Sequence, residues 1–225
     1  IGHVWGRLVP LADYAERLNL LSAVCAATAA GAFFLVCHET LRRLAAELEP
    51  ASRRLVAVGG ALAATLMSAF SFTAWQNSNE TEVYAFAVFT IALTCWLCHL
   101  WREARGTPRA ANLLLLIVYL NGISVGAHLL ALLAGPAVMM FVWVTLWQEP
   151  AAEEGARRAE LGQLAVLAGV WALLVGTGLG STTLVVLGAL AFAGTAAFAW
   201  RGGSFRFALL ALVVAAVGIT SYGYL

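Results

Sequence analysis

Long apolar runs constrain this chain more than any other feature. Eight of them lie near Leu20–Cys37, Leu55–Phe70, Ala85–Leu100, Ala111–Ser124, His128–Trp147, Leu164–Val175, Thr182–Trp200 and Phe207–Ser221. They approach or reach the roughly 20 residues that a helix needs to cross a bilayer. Hydrophobic residues fill 62% of the 225 positions and charged residues only 11%. A soluble domain cannot hide that much apolar surface, so the expected fold is an all-α, polytopic helical membrane protein of about eight spans. No segment alternates like a strand, which argues against a barrel. Nothing points to nucleic acid as a partner. Membrane lipids are the expected surroundings.

The charges sort by face. All thirteen basic residues are Arg. In an eight-span arrangement, one set of loops holds Arg42, Arg43, Arg53, Arg54, Arg102, Arg105, Arg109, Arg157, Arg158, Arg201 and Arg206, and the other holds only Arg7 and Arg17. Cytoplasmic loops collect arginine, so the poor set is read as the outer face. The organisation follows. Residues 1–19 read as an outer-face interfacial helix, interrupted at Pro10. Residues 20–147 form an N-terminal transmembrane module with an outer polar loop at 72–84. Residues 148–163 form a cytoplasmic loop, and 164–225 form further spans. Abundant Ala, Leu and Gly with no Lys suggests a GC-rich, bacterial coding bias. The expected location is a bacterial inner membrane with the active face in the periplasm. The chain starts at Ile1 and ends in an apolar run, so it reads as an excerpt of a longer protein.

One outer loop is chemically rich. Trp75-Gln-Asn-Ser-Asn-Glu-Thr-Glu-Val-Tyr84 carries two carboxylates and no cation. Asn79, Glu80, Glu82 and Tyr84 offer amide, carboxylate and phenol groups that a tight turn does not need. A carboxylate there can act as a base toward a hydroxyl or hold a divalent metal. Glu80 and Glu82, two apart, diverge on a helix, so one of them is expected to face a cavity. The alternative is a solvated interface loop. Arg7 and Arg17 are the only outer cations, suited to a lipid phosphate. Arg17 could equally pair with Asp13 at i,i+4.

The run Ala111–Trp147 is 37 residues long and must hold two spans. Asn121-Gly-Ile-Ser-Val-Gly-Ala-His128 is the expected break. A first member of 14 residues would be about 21 Å long, short of a hydrocarbon core of about 30 Å. Its end would then stop within the membrane and place His128 at an outer cavity. The alternative is a glycine-rich helix contact with His128 satisfied by a neighbouring carbonyl.

Three motifs mislead. Cys95-Trp-Leu-Cys98-His99 has the c-type haem spacing, but it lies in an apolar run on the inner side. Asn79-Glu-Thr81 is a glycosylation sequon pressed against the membrane. Gly176-Thr-Gly-Leu-Gly180 lacks the Lys of a phosphate loop.

Three stretches together resemble a known family. They are Trp5-Gly-Arg-Leu-Val-Pro-Leu-Ala-Asp-Tyr-Ala-Glu-Arg-Leu-Asn-Leu-Leu-Ser-Ala23, then Ser68-Ala-Phe-Ser-Phe-Thr-Ala-Trp75 with Glu80-Thr-Glu-Val-Tyr84, and Asn121-Gly-Ile-Ser-Val-Gly-Ala-His-Leu-Leu130. They are similar to the protein O-mannosyltransferase-like membrane proteins, the family that includes transmembrane protein 260. The similarity covers residues 3–145; the rest matches only as a run of spans. It implies a C-type glycosyltransferase fold with an outward-facing site. It also implies a polyprenyl-phosphate sugar donor, mannose being one candidate sugar, and a protein or glycan acceptor. The resemblance implies that the catalytic base lies in an acidic first outer loop followed by a His-Pro-Pro-Gly-like stretch. That region would precede Ile1, so this excerpt alone is expected to be inactive. Within it the resemblance favours Glu82 as a supporting catalytic residue, with Glu80 beside it. Arg17, Arg7, Tyr84, Asn79 and His128 remain as substrate-binding candidates. No cofactor is specified beyond a candidate divalent metal. A multi-span transporter or flippase-like protein is the competing function, and a scaffold is a third.

The arginine partition predicts that positions 17 and 82 share one membrane face and positions 54 and 105 the other. Single cysteines in a background without native Cys, labelled in intact cells by an impermeant reagent, report this. Labelling at 105 but not at 82 would overturn it.

Overall fold

The computed structural model describes residues 2–10, 13–79 and 83–223, and every regular element among them is helical. The helices are α1 (Gly2–Leu8), α2 (Tyr14–Leu44), α3 (Pro50–Ala69), α4 (Phe72–Asn79), α5 (Val83–Ala104), α6 (Pro108–Ala127), α7 (Ala134–Gln148), α8 (Glu154–Gly178), α9 (Thr182–Arg201) and α10 (Phe205–Gly223). A 3-10 turn, Leu129–Leu133, leads into α7. Among the described residues, α2, α5, α6, the turn with α7, α8 and α9 are each long and apolar enough to cross a membrane. The α3–α4 pair, bent by 67°, qualifies as a seventh span, and α10 contributes a shorter apolar helix, Phe205–Thr220. These account for the eight runs. The chain is an integral, polytopic helical membrane protein.

The ends of the helices follow local chemistry. The Asp13 carboxylate accepts from the Ala15 N–H at 2.8 Å and caps α2. Glu16 occupies the first turn of that helix and Arg42 and Arg43 the last, each matching the helix dipole. Pro50 and Pro108 open α3 and α6, where a missing N–H does no harm. Gly106 and Gly203 adopt φ of 79° and 78° in the turns after α5 and α9, a left-handed conformation costly for other residues.

The chain divides into two compact units between Trp96 and Leu97, within α5. In the first unit, α2 and α3 form an antiparallel hairpin, and α1 and α4 both pack on α2. A β-carbon on Gly60 would lie 2.8 Å from Leu41 Cδ1, so glycine lets the two hairpin arms approach. Glu39, buried near the closed end of the hairpin, accepts from Arg42 at 2.7 Å and from Arg43 at 2.5 Å. Thus Arg42, Arg43, Arg53 and Arg54 gather at one end of this unit, and α1 and α4 lie toward the other.

Two expected boundaries shift here. Residues 14–19 belong to the long helix α2 rather than to a separate interfacial helix, because Asp13 supplies the cap and no breaker follows it. Residues 72–79 of the expected loop are helical. Ser71 Oγ accepts weakly from the Ala74 N–H at 3.4 Å, and no Gly or Pro interrupts the turn.

The second unit is built on two glycine-mediated contacts. Between α8 and α9, a β-carbon on Gly188 would lie 2.7 Å from Leu173 Cα, and one on Gly176 would lie 2.6 Å from the Leu184 carbonyl carbon. Between α6 and α10, a β-carbon on Gly218 would lie 2.9 Å from Gly122 Cα. Backbones touch where side chains would separate them. Leu114, Ile117, Val142, Val166, Val170 and Leu174 are almost fully buried. One end of the unit carries all its arginines. There Arg102 pairs with Glu149, and Arg105 pairs with Glu160 at 2.8 Å while lying 5.8 Å from the Trp101 ring centre. The expected loop at 148–163 is also shorter than anticipated. The helix α8 starts at Glu154, leaving only 149–153 as the connection.

The α8–α9 contact predicts a sharp contrast between two glycines of one helix. Gly188→Leu should cost about 1–3 kcal/mol through overpacking. Gly194→Leu should change stability little, since a β-carbon there meets nothing within 4 Å. Thermal unfolding of both variants in the same detergent reads the difference.

Candidate functional site

The end of the first unit opposite Arg42 and Arg53 holds most of the candidate residues. Its corner is built from α1 and the start of α2. The Trp5 indole N–H donates to the Arg17 carbonyl at 2.6 Å. The Arg17 guanidinium donates back to the Gly6 carbonyl at 2.5 Å. Gly6 is buried, and a β-carbon there would lie 2.6 Å from the Tyr14 ring. Three contacts therefore hold α1 against α2. Arg17 spends a donor on the protein's own backbone, whereas Arg7 is exposed and has no ion-pair partner among the described residues. The Asp13 carboxylate, the alternative partner suggested by spacing, caps α2.

The polar stretch after α3 follows the same end of the hairpin. At the bend, Phe70 stacks on Trp75 with ring centres 5.8 Å apart. Asn79 is the last residue of α4, and Tyr84 lies in the first turn of α5 with 41% of its surface exposed. Glu80 and Glu82 fall outside the described residues, so no geometry is assigned to either carboxylate. Among the described residues, no group of three or more His, Cys, Asp or Glu side chains comes together as a metal site. The structure therefore places Arg7 and Arg17 on helices docked at Gly6 and sets Asn79 and Tyr84 on the helices that flank residues 80–82.

His128 belongs to the second unit, at the end opposite its arginines. The break in the run at 111–147 falls at His128 rather than across residues 121–128. The helix α6 is 20 residues long and continues to Ala127, so the expected short first span is corrected. Tertiary contact explains it. Gly122 is pinned against α10, and the polar groups do not disrupt the helix. Asn121 donates to the Ile117 carbonyl at 2.8 Å, and Ser124 donates to the Leu120 carbonyl at 2.7 Å. At His128 the backbone is extended, with φ −163° and ψ 125°. Its Nδ1 accepts from the Leu130 N–H at 3.1 Å and caps the 3-10 turn. This leaves the neutral ring with its proton on Nε2, as a donor. The 3-10 turn is tied to α8, where the Trp171 indole N–H donates to the Leu132 carbonyl at 2.9 Å across Gly135. Gly135 and Trp171 carried no signal in the sequence, because their contact joins segments 36 positions apart.

These features define a class: a helical membrane protein with a polar, arginine-bearing corner at one end of an α2–α3 hairpin. The family is then given by comparison. Residues 1–152 match the protein O-mannosyl-transferase TMEM260 N-terminal domain, and the chain belongs to that family. The match includes the α1–α2 corner, the polar stretch and His128. No curated protein gives a match, and neither does any solved structure.

The α1–α2 corner predicts that Gly6→Val releases α1. A branched side chain at this position would strike the Tyr14 ring. Amides of residues 4–8 should then exchange with deuterium at least tenfold faster, while those of α8 are unchanged. Equal exchange in parent and variant would show that the docking does not hold α1.

Proposed function

We propose that this protein is the membrane-embedded part of a glycosyltransferase. It transfers a sugar, mannose being the first candidate, from a polyprenyl-phosphate carrier to a protein or glycan acceptor. The observation that carries the reading is the family match over residues 1–152, which spans every candidate site residue. The separation of arginines supports it. The poor end, with Arg7, Arg17 and the polar stretch, is read as the periplasmic face of a bacterial inner membrane. No observation favours a transporter over this reading.

The chemistry assigns the residues. An acceptor hydroxyl must lose a proton and attack the anomeric carbon of the sugar. The bond from that carbon to the carrier phosphate breaks, and the phosphate leaves with an added negative charge. A cation placed at the leaving oxygen lowers this barrier. Arg7, exposed beside the docked Gly6, suits that role, and Arg17 acts as a positioning residue that holds α1 in place. Glu82, with Glu80 in support, orients the acceptor or holds a divalent cation. Asn79 and Tyr84 contact the sugar or the acceptor.

In the full-length protein, Glu82→Gln should lower transfer about one hundredfold, or about 2.7 kcal/mol in the barrier. A residue that only shapes a loop would cost no more than about 0.5 kcal/mol in stability. Arg7→Gln should raise the KM for donor, with part of the rate recovered at excess donor. The assay is transfer from a polyprenyl-phosphate sugar to acceptor in vesicles, normalised to folded protein. Unchanged transfer in both variants would discard these residues as site members.

A further inference from the structure

The opposite face of the second unit carries a feature that the transferase reading does not use. The turn joining α9 to α10 lies directly on the first turns of α8. A β-carbon on Gly202 would sit 2.9 Å from the Arg158 carbonyl oxygen, and one on Gly162 would sit 3.2 Å from Ala199 Cα. This close approach collects Arg157 and Arg158 from α8, Arg201 from the end of α9 and Arg206 from the start of α10 at one corner.

The carboxylates of that end are largely engaged. Glu154 pairs with Arg158, Glu160 with Arg105, and Glu149 with Arg102. Glu153 and Glu154 are the exposed acids beside the cluster. Arg157, Arg201 and Arg206 are exposed and have no ion-pair partner among the described residues. Next to Arg201 in the chain, Trp200 is 68% exposed, with its ring 4.8 Å from that of Phe205. Apolar side chains further along α9, such as Val186 and Leu190, are also exposed and suited to acyl chains.

Guanidinium groups at the edge of an apolar surface, with an amphipathic indole at the boundary, match the chemistry of a lipid. The phosphate meets the arginines, the indole sits at the headgroup level, and the tails lie along α9. The N-terminal end of α10 adds its partial positive charge at the same corner. We infer that the corner formed by the start of α8 and the α9–α10 turn binds the headgroup of an anionic phospholipid. The four arginines outnumber the two exposed acids, so a zwitterionic headgroup is held more weakly.

The test uses the intact protein in a neutral detergent, with phosphatidylglycerol or phosphatidylcholine added and lipid retention read by native mass spectrometry. Phosphatidylglycerol should be retained at least fivefold more than phosphatidylcholine, with the difference shrinking as salt rises. Arg201→Gln with Arg206→Gln should reduce that retention about fivefold per arginine. Arg201→Lys with Arg206→Lys should keep most of it. Helical circular dichroism and a single elution peak confirm folding, and Arg157→Gln on exposed α8 repeats the test if the paired variant misfolds. Equal retention of the two lipids, or full retention by the Gln variants, overturns the inference. So does equal binding of glycerol phosphate without tails, which would mark a soluble-anion site.

Discussion

Hydrocarbon offers a backbone no hydrogen bonds, and the rest of this structure depends on that constraint. Every buried N–H and C=O must find a partner within its own segment, so the spans are helices. The one sharp interruption near mid-chain shows what a break requires. At His128 the chain leaves the helix, and the imidazole at once accepts the Leu130 N–H. Four residues after His128 the Leu132 carbonyl receives the Trp171 indole. The polar residues just before the break do not cause it. Asn121 and Ser124 return their hydrogen bonds to carbonyls one turn back.

With the backbone satisfied internally, the helices are held together by closeness rather than by escape from water. Glycine sets where they approach. Gly176 and Gly188 bring α8 and α9 into backbone contact, and Gly122 and Gly218 do the same for α6 and α10. Dispersion and weak polar contacts gain most when backbones touch. The same residues explain why α9 leaves so much of its surface uncovered: it packs tightly through one narrow glycine face, and the remainder is shaped for lipid.

Charge divides each unit along a different axis. The second unit ties its arginine-rich end together through Arg102, Arg105, Glu149 and Glu160, and leaves other arginines outward. The first unit places Glu39 with Arg42 and Arg43 at one end and the α1–α2 corner at the other. At that corner, two arginines that look equivalent in the sequence differ in surroundings. Arg17 is drawn to the Gly6 carbonyl, and Arg7 remains outward.

The helical membrane class, the eight apolar runs and the arginine division were readable from composition and order, because each depends on residues close together in the chain. The cap at Asp13 and the turn glycines are equally local. Three features were not readable. The polar stretch at 72–79 folds as a helix that packs on α2, a contact that spacing along the chain does not display. The mid-chain break sits at His128 rather than at Gly122, since α10 holds Gly122 from a point almost 100 residues away. The unequal roles of Arg7 and Arg17 arise from a contact between two short helices, which spacing along a single helix cannot describe. Local chemistry sets which segments can be helices and which ends carry charge. Long-range packing sets where those helices stop and which side chains remain available for chemistry.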